Sequence, residues 1–417
     1  MLTITHPQIV AQTRDIPIGL VPFRKTETSH LGLILKCTKE QMLTAKLRGG
    51  FRCYLAPISV SGFQSHSLIT AFFDDYDEPL IVKTILVDDE GSHEFLEVLS
   101  QESFDVHFFD EHHRELLAYQ AHNSEAENFK SHLKKIKLGS PEKFQTDPHF
   151  LGSIDDEVTR WFGERGAIDD QSALTIALGK PLFPEDIFID DARPEVNSYH
   201  GRLSNMHASL LREDAGHFGE LDIVGVLLRT FGSDEIFLNP VRPDNGREFS
   251  DVLVVASNNV VIIQAKDSPN TEQTLARSIE RKKLVVRSHL KKAAKQLRGS
   301  ISYAKSCNAL KIATAQREYE IDLTNRSVFG LIVTKELFSD EYPVYSSLLF
   351  DLFDDTEVPC FAFDYPELNI WTTNLRTENE FVSRLAQLFK AAVKYGEFPR
   401  LRLWLTNPSM LGDKFKP

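Results

Sequence analysis

The chain has 417 residues, of which 42% are apolar and 26% charged, and its net charge is −13. This length is too great for one ordinary hydrophobic core, so two or three domains are expected, and the composition excludes a disordered chain. The four cysteines form no CxxC pair, which argues against a zinc or disulfide framework and favours a reducing compartment. No apolar run approaches the roughly 20 residues that span a bilayer, and the first residues are not typical of a leader. We therefore expect a cytoplasmic protein with no membrane partner.

Basic residues are concentrated in one segment of this acidic chain. Between Arg277 and Arg298 there are nine lysines and arginines, and Glu280 is the only acid. The net charge of −13 argues against nucleic-acid binding by the chain as a whole. A local basic patch is nevertheless the usual electrostatic footprint of a site for a polyanion. Nucleic acid therefore stays a candidate partner, through this segment.

Residues 1–135 are expected to form a mixed α/β domain. Alternating or β-branched runs predict strands, and amphipathic runs that end at glycine predict helices. The predicted strands are Leu31–Leu35, Phe51–Val60, Leu68–Phe73, Ile81–Val87 and Asp105–Phe109, and the predicted helices are Lys39–Leu47 and Ser92–Leu99. The histidines His112 and His113 follow the last strand, and we interpret them as part of a solvated turn rather than of a metal site.

Residues 136–212 are expected to be a linker and helical connector. The segment that opens it combines a lysine run with Gly139, Ser140 and Pro141, which is typical of a linker. Two helices are predicted, at Asp155–Phe162 and Gln171–Leu178. A loop is expected after them, because several prolines and acids follow.

Residues 213–417 are expected to form the last domain. Its predicted elements, in chain order, are a helix at Phe218–Arg229, strands at Glu235–Asn239, Val252–Ala256 and Val260–Ile263, a long basic helical segment at Thr271–Lys305, a strand at Val328–Thr334, a helix at Tyr345–Leu352, short strands at Cys360–Phe363 and Leu368–Thr372, and a helix at Glu378–Tyr395. The order is therefore helix, three strands, basic helix and strand, followed by further elements.

The second and third of these strands predict a buried hairpin with charges at one end. Both runs are apolar on both faces, and two asparagines supply the turn between them. Aspartate and lysine are almost never fully buried unless they are paired, yet Asp251 opens one strand and Lys266 closes the other. Both lie seven residues from the turn, so pairing would bring Asp251 to the end of the sheet that carries Gln264 and Lys266. These last two point to one face, because they are two residues apart.

This arrangement resembles the PD-(D/E)xK nuclease superfamily over roughly residues 216–375. The resemblance is closest to the Mrr-type subset, whose motif reads QxK, here Gln264-Ala265-Lys266. It implies a restriction-endonuclease-like fold, a mixed sheet flanked by helices, and a metal-dependent endonuclease that hydrolyses phosphodiester bonds in DNA. Two positions depart from the family pattern: Ser250 stands where the nominal proline would, and Gln264 replaces an acid, which lowers the negative charge of the site.

The resemblance also implies roles for individual residues. Asp251 would be the main metal ligand, Glu220 would match the acid of the first helix, and Gln264 with the carbonyl of Ala265 would complete the metal shell. Lys266 would position the attacking water and stabilise charge on the phosphate. Oxygen ligands of this kind suit Mg²⁺ or Mn²⁺, with positions left open for water and phosphate. Glu248, three residues before Asp251, is a competing ligand if the strand is bulged.

The basic helix would then follow the nucleic-acid backbone. Lysine and arginine side chains that neutralise phosphates give a salt-dependent affinity that depends little on sequence. The residues expected to bind DNA are Lys282, Lys283, Arg287, Lys291, Lys292 and Lys295. The alternative for these residues is a solvated helix face.

Other interpretations stay open at this point. Lys266 and Asp251 could be no more than a structural ion pair at a strand end. The chain could be a catalytically inactive nucleic-acid-binding or scaffold protein, or a nuclease for RNA or branched DNA. The N-terminal domain would recognise a protein partner, a second subunit or a trigger, and a homo-oligomer is expected. By fold-level analogy, such a nuclease resembles effectors of bacterial anti-phage defence or restriction.

Overall fold

The computed structural model describes residues 1–12, 16, 18–25, 30–73, 79–144, 148–193, 197–199, 202–203, 206–212, 215–307, 309–315 and 317–399. In these residues the chain is mixed α/β, as expected. The first part of the chain forms an eight-stranded sheet and the last part forms a five-stranded sheet. The end of the predicted last domain, residues 400–417, lies outside the described residues.

Helices flank both sheets. Those in the described residues are α1 (Leu2–Thr5), α2 (Pro7–Gln12), α3 (Lys39–Arg48), α4 (Glu90–Leu99), α5 (Ala126–His132), α6 (Pro148–Glu164), α7 (Ala167–Ser172), α8 (Ala215–Leu227), α9 (Glu272–Leu275), α10 (Ile279–Lys305), α11 (Tyr342–Thr356), α12 (Tyr365–Asn374) and α13 (Glu378–Tyr395). Several begin at a side chain that accepts a backbone N–H of the first turn, among them Thr38, Asp89 and Thr377. Across the described part of the chain, none of the helices combines the length and apolarity that a bilayer crossing requires.

The strands, in chain order, are β1 (Gly19–Arg24), β2 (Leu31–Lys36), β3 (Gly50–Val60), β4 (Phe63–Phe72), β5 (Leu80–Ile85), β6 (Ser103–Phe109), β7 (Glu115–Asn123), β8 (Leu174–Pro181), β9 (Ile189–Asp191), β10 (Ser198–Tyr199), β11 (Arg202–Leu203), β12 (Met206–Ala208), β13 (Ile236–Leu238), β14 (Val252–Val255), β15 (Asn259–Lys266), β16 (Ala309–Ala313), β17 (Glu318–Asp322), β18 (Ser327–Thr334) and β19 (Cys360–Asp364). The first sheet has the order β1-β2-β6-β7-β8-β3-β4-β5, and the second has the order β13-β14-β15-β18-β19. Three separate two-stranded pairs accompany them.

Strand β8 corrects the prediction for residues 171–178. The predicted helix ends at Ser172, and Leu174 begins a strand that pairs with β3 and β7 in the interior of the first sheet. Leu174 and Ile176 are buried and alternate with exposed Thr175 and Ala177, which is a period of two and not a helical period. The predicted connector at 136–212 therefore contributes a strand to the first sheet.

The predicted linker also packs against the first sheet at Gly139. The N–H of Gly139 donates to the carbonyl of Leu86 at 3.0 Å and to Ser65 Oγ at 3.1 Å. A Cβ on Gly139 would lie only 2.1 Å from the ring of Phe63, so glycine is required there because of this close approach. Glycine in this segment thus marks a packed crossing of the chain and not a flexible hinge.

The second sheet contains the predicted hairpin. β13, β14 and β15 are antiparallel neighbours, whereas β15, β18 and β19 are parallel. Val252 pairs with Ile263 and Val255 with Val260, so the turn lies at Ser257 and Asn258, and the register is shifted by two residues from a hairpin centred on Asn258 and Asn259. Helix α10 connects the parallel strands β15 and β18 and buries Leu290, among other apolar residues, against the sheet.

Three further predictions for this domain differ from the structure. Residues 368–372 were expected to be a strand but belong to α12, because Asp364 and Glu367 form a capping box and Pro366 fits the first turn. The helix predicted at Phe218–Arg229 ends earlier, at Leu227. Between the basic helix and the strand at Val328–Thr334, where no element was predicted, the chain forms the hairpin of β16 and β17.

The turn before β7 is buried, so its interpretation as a solvated turn is wrong. Asp110 and His112 are fully buried, and Glu111 and Arg114 are about as inaccessible. Asp110 satisfies the turn internally: its carboxylate accepts the N–H of His112 at 2.9 Å and Nε of Arg114 at 2.7 Å. Burial of so many charges requires partners, and these lie both in the same part of the chain and on α8, which carries Asp222.

These charges and their partners form what we call the interdomain cluster, a set of buried charged side chains between the predicted N-terminal and last domains. Its members are Lys39, Asp110, Glu111, Arg114, Arg212 and Asp222. Asp222 lies on α8 and accepts hydrogen bonds from Arg114 at 3.2 Å and from Arg212 at 2.5 Å. Lys39 Nζ lies 3.4 Å from Asp110, 3.7 Å from Glu111 and 3.4 Å from Asp222. A second ion pair between the domains joins Glu40 to Lys335 at 2.8 Å.

The acids of the interdomain cluster differ in protonation. Burial raises the pKa of Glu111 to about 7; Lys39 opposes this rise, and the negative charges of Asp110 and Asp222 add to it. Burial also disfavours the charged form of Asp110, but Arg114 and Lys39 hold its pKa well below the usual range. Glu111 is therefore the member of the cluster that gains a proton near neutral pH.

We predict a pH-dependent stability that originates at Glu111. Its pKa is about 7 in the folded chain against an ordinary value of 4.5, so the folded state binds the proton more tightly, and the contribution of Glu111 to the unfolding free energy falls as pH rises between these values. Relative to the wild type, Glu111→Gln should become more stable as pH rises from about 5 to about 8, as measured by urea unfolding. Glu142→Gln, at an exposed glutamate, is the control. Identical pH dependence in Glu111→Gln and the wild type would contradict this assignment.

Candidate active site

The candidate site lies at the end of the second sheet where β14 begins and β15 ends. Asp251 directly precedes β14 and is buried, with 5% of its surface exposed. Its Oδ2 accepts the N–H of Ala265 at 2.6 Å and Nζ of Lys266 at 3.1 Å. The carboxylate thereby links the two strand ends of the hairpin, and the prediction that Asp251 and Lys266 lie at the same end of the sheet is confirmed.

Lys266 is held by a second contact. Its Nζ donates to the carbonyl oxygen of Ala265 at 2.6 Å as well as to Asp251. The ammonium group therefore touches both the carboxylate and the carbonyl that the resemblance implies as metal ligands. The Asp251–Lys266 pair is also what the purely structural interpretation expects, so this contact alone does not separate the two interpretations.

Gln264 lies beside this pair with an unused acceptor. Continuing the register of Val252 and Ile263 by one residue sets Gln264 opposite Asp251. Its side chain is 2% exposed, and among the described residues its Oε1 has no hydrogen-bond partner. A buried amide oxygen without a donor is costly, so a cation or a water molecule at this point would stabilise it.

Asn239 joins Glu220 to the hairpin. It follows β13 with a positive φ of 49°, a conformation that asparagine tolerates better than most residues. Its backbone N–H donates to the carbonyl of Asp251 at 2.9 Å, and its Nδ2 donates to Glu220 Oε2 at 2.9 Å. Glu220, the predicted acid of the first helix, is thus joined to Asp251 through one intervening residue, Asn239. Asn239 was not predicted, although the Asn239-Pro240 pair at a strand end is a recognisable turn signal.

Glu248 adds a third carboxylate to this end of the sheet. Although the residue is exposed overall, desolvation of its carboxyl group raises its pKa, and the negative charges of Asp251 and Glu220 raise it further. The positive charge of Lys266 opposes this rise. Three acids are therefore close enough to repel one another, a property common at sites that bind a cation.

Helix α10 contributes His289, which the sequence did not single out. Desolvation lowers the pKa of its imidazole, and the positive charges of Lys266 and Lys292 lower it further. His289 and Lys292 are one helical turn apart and share a face of α10, and the effect of Lys266 shows that His289 lies near the candidate site. Farther along the same helix, Ser300 Oγ donates to the carbonyl of Phe249, which keeps α10 against the segment before Asp251.

The predicted DNA-binding residues divide into two groups. Lys283 is buried and donates to Asp340 at 2.6 Å, and Arg287 forms a bidentate pair with Glu341. Lys291, Lys292 and Lys295 are exposed and, in the part of the chain that the structure describes, make no ion pair. Lys282 is half-buried. Lys283 and Arg287 thus already neutralise acids of the same chain, whereas the exposed lysines remain accessible to phosphate.

The oxygen atoms at the site fit a hard divalent cation only if carboxylate, amide and backbone carbonyl oxygens act together. Among the described residues, no three side chains of His, Cys, Asp or Glu are grouped so that they could hold one metal ion. Asp251, the unused Oε1 of Gln264 and the carbonyl of Ala265 instead offer one carboxylate and two neutral oxygens. Mg²⁺ accepts such oxygen ligands and keeps several waters of its own. Because Lys266 contacts two of these oxygens, a metal ion would compete with its ammonium group.

Comparisons with known proteins add no assignment to this geometry. No protein-family model matches the chain. No curated protein sequence matches it at a significant level either. The functional interpretation therefore depends on the arrangement of residues at this end of the sheet.

Proposed function

We propose that the domain from residue 213 onward is a divalent-metal-dependent endonuclease that hydrolyses phosphodiester bonds in DNA. The observation that carries this proposal is the convergence at Asp251. Its carboxylate binds the end of β15 and Lys266, and its carbonyl binds Asn239, which in turn binds Glu220. Residues from four separate segments of the chain thus bring acids, an amide and an ammonium group together.

The topology of the second sheet supports the same proposal. Helix α8, the antiparallel strands β13 to β15, the crossover helix α10 and the parallel strand β18 follow one another in the order helix, three strands, helix, strand. The restriction-endonuclease-like fold implied by the resemblance has this order of elements. A fold supports many functions, so the chemistry still depends on the site itself.

Each residue of the site has a chemical task in this proposal. Asp251, Gln264 and the carbonyl of Ala265 would hold Mg²⁺ or Mn²⁺, with Glu220 as a further ligand. When bound, such an ion supplies Lewis-acid stabilisation to a phosphodiester. Lys266 would direct its Nζ at a phosphate oxygen, because a compact ammonium group stabilises the negative charge that develops there. Glu248 is a further carboxylate at this end of the sheet and could also contact the ion.

A second candidate function is nucleic-acid binding without catalysis. It is favoured by the contacts of Lys266, because its ammonium group already neutralises Asp251 and already donates to the carbonyl of Ala265. The replacement of an acid by Gln264 also lowers the charge available to a metal ion. In this case the exposed lysines of α10 would bind phosphates, and no cleavage would follow.

We predict that the purified chain cuts or nicks DNA only when Mg²⁺ or Mn²⁺ is present. Asp251→Asn and Lys266→Met should each lower the cleavage rate by at least about 100-fold, because each removes a charge that acts on the phosphate or on the ion. The measurement is a plasmid-nicking and linear-duplex assay, with RNA and branched DNA as parallel substrates.

Matched controls come from charged residues away from the site. Asp244→Asn changes an exposed aspartate that pairs with Arg242 at 2.9 Å, and Lys305→Met changes an exposed lysine at the end of α10. Both should cleave like the wild type. Full activity of Asp251→Asn or Lys266→Met, or activity in EDTA, would overturn the nuclease assignment. DNA binding by the wild type without cleavage of any substrate would favour the second candidate function.

We predict that Gln264→Glu tightens Mn²⁺ binding, by about tenfold or more. The substitution replaces the unused amide oxygen by a carboxylate, and affinity for hard cations rises with the charge of the ligands. Calorimetric titration of Mn²⁺ into the wild type, Gln264→Glu and Asp251→Asn measures the effect. Weaker binding by Gln264→Glu than by the wild type would remove Gln264 from the metal site.

We predict that the two groups of basic residues behave differently. Replacing Lys291, Lys292 and Lys295 by Glu should weaken binding to all DNA sequences alike and lower the slope of log affinity against log salt by up to about one per lysine. Lys283→Met should leave this slope almost unchanged, because Lys283 is bound to Asp340 at 2.6 Å. Fluorescence anisotropy at several salt concentrations measures both. An unchanged affinity of the triple variant would assign the exposed face of α10 to another role.

A further inference from the structure

Helix α8 carries two acids that point in different directions. Glu220 accepts the Nδ2 of Asn239 at the candidate site, and Asp222 accepts hydrogen bonds from the interdomain cluster. Residues two apart on a helix are rotated by about 200° about its axis, so the two carboxylates face opposite sides. A rotation of α8 that displaces Asp222 therefore displaces Glu220 as well.

Asp222 is held from outside its own helix. Its Oδ1 receives Arg114 at 3.2 Å and lies 3.5 Å from Nε2 of His112. Its Oδ2 receives Arg212 at 2.5 Å and lies 3.4 Å from Nζ of Lys39. Burial disfavours the charged carboxylate, but Arg212 and Lys39 hold the pKa of Asp222 well below its ordinary value. The carboxylate is therefore ionised, and three of its four partners belong to the N-terminal domain.

The same helix also lies directly against the residue after Lys266. A Cβ on Gly219 would lie 2.9 Å from Oδ2 of Asp267, so α8 and the end of β15 approach as closely as glycine permits. Burial raises the pKa of Asp267 to about 6, with Lys335 opposing this effect. The position of α8 is thus coupled sterically to the strand end that carries Lys266.

On the side of α8 that faces the N-terminal domain, the helix is not closely packed. A cavity of about 50 Å³ lies there, and its lining includes Lys39, Arg212, Asp222 and Lys266. Among the described residues, Nε and Nη2 of Arg212 have no hydrogen-bond partner. The apolar side of α8 is packed in the core through Val224, Val226 and Leu227, whereas the ion pairs of Asp222 are the contacts through which the N-terminal domain acts on the helix.

We infer that Asp222 is a positioning residue, through which the N-terminal domain sets the rotation of α8 and holds Glu220 in the candidate site. The inference deepens the proposed function and rests on it, because Glu220 acts on a metal ion only if the site is a nuclease centre. The N-terminal domain is accordingly a structural requirement of the site. Any partner that moves Lys39 or Arg114 changes the geometry around Glu220.

The test compares four variants of the full chain with the wild type. Asp222→Asn removes the charge at the centre of the contacts, and Lys39→Met removes one partner from the N-terminal side. Glu220→Gln alters the site without altering Asp222 or its contacts. Asp155→Asn is the control, since it removes a carboxylate from a pair with Lys83 at 2.6 Å that lies within the N-terminal domain. The measurements are amide hydrogen exchange in residues 215–227, Mn²⁺ affinity, and melting temperature.

Asp222→Asn should lower the exchange protection of α8 at least about tenfold and weaken Mn²⁺ binding about 10-fold to 100-fold, the range found for groups that orient metal ligands. Lys39→Met should act in the same direction with a smaller effect. Glu220→Gln should weaken Mn²⁺ binding but leave the protection of α8 unchanged, and Asp155→Asn should change neither.

Wild-type protection and wild-type Mn²⁺ affinity in a folded Asp222→Asn variant would overturn the inference. If Asp222→Asn does not fold, Lys39→Met decides the same question, and its wild-type behaviour would also overturn the inference. If the wild type binds no Mn²⁺, the proposed function fails. The hydrogen-exchange result then still decides whether Asp222 positions α8.

Discussion

The buried carboxylate of Asp251 is the contact on which the candidate site depends. It accepts the amide of Ala265 and the ammonium of Lys266, while its own carbonyl accepts Asn239. A buried charge is tolerated only when such partners surround it, and removal of one partner leaves the others uncompensated. The hairpin end, the loop after β13 and, through Asn239, the first acid of α8 are therefore arranged around one residue, Asp251.

The predicted N-terminal domain also contacts α8, the helix that carries Glu220. The interdomain cluster holds α8 at Asp222, two residues from Glu220, and its acids are balanced by cations from the N-terminal domain and from Arg212. Buried ion pairs depend strongly on geometry, because a displaced partner leaves a desolvated charge. A domain of unassigned role can thereby influence the site without contributing a residue to the chemistry itself.

Local patterns in the sequence predicted the hairpin and the meeting of Asp251 with Lys266, because strand period and turn chemistry depend on adjacent residues. Other features depend on residues far away in the chain. The turn at Asp110 and His112 was expected to be solvated, but it is buried and contacts Asp222, Arg229 and Tyr365. Likewise the partners of Lys283 and Arg287 are Asp340 and Glu341, more than 50 residues later, which no helical spacing could reveal. Asn239 and His289 were missed because a single amide or imidazole carries no distinctive pattern.

We propose that Asp251, Gln264 and Ala265 hold a metal ion in competition with Lys266. Electron paramagnetic resonance of Mn²⁺ titrated into the wild type and Lys266→Met tests this proposal. Removal of the ammonium group, which lies 3.1 Å from Asp251 Oδ2 and 2.6 Å from the carbonyl of Ala265, should leave Mn²⁺ bound at least as tightly while cleavage is lost. Absence of bound Mn²⁺ in both proteins would contradict the account and leave the Asp251–Lys266 pair as a structural contact.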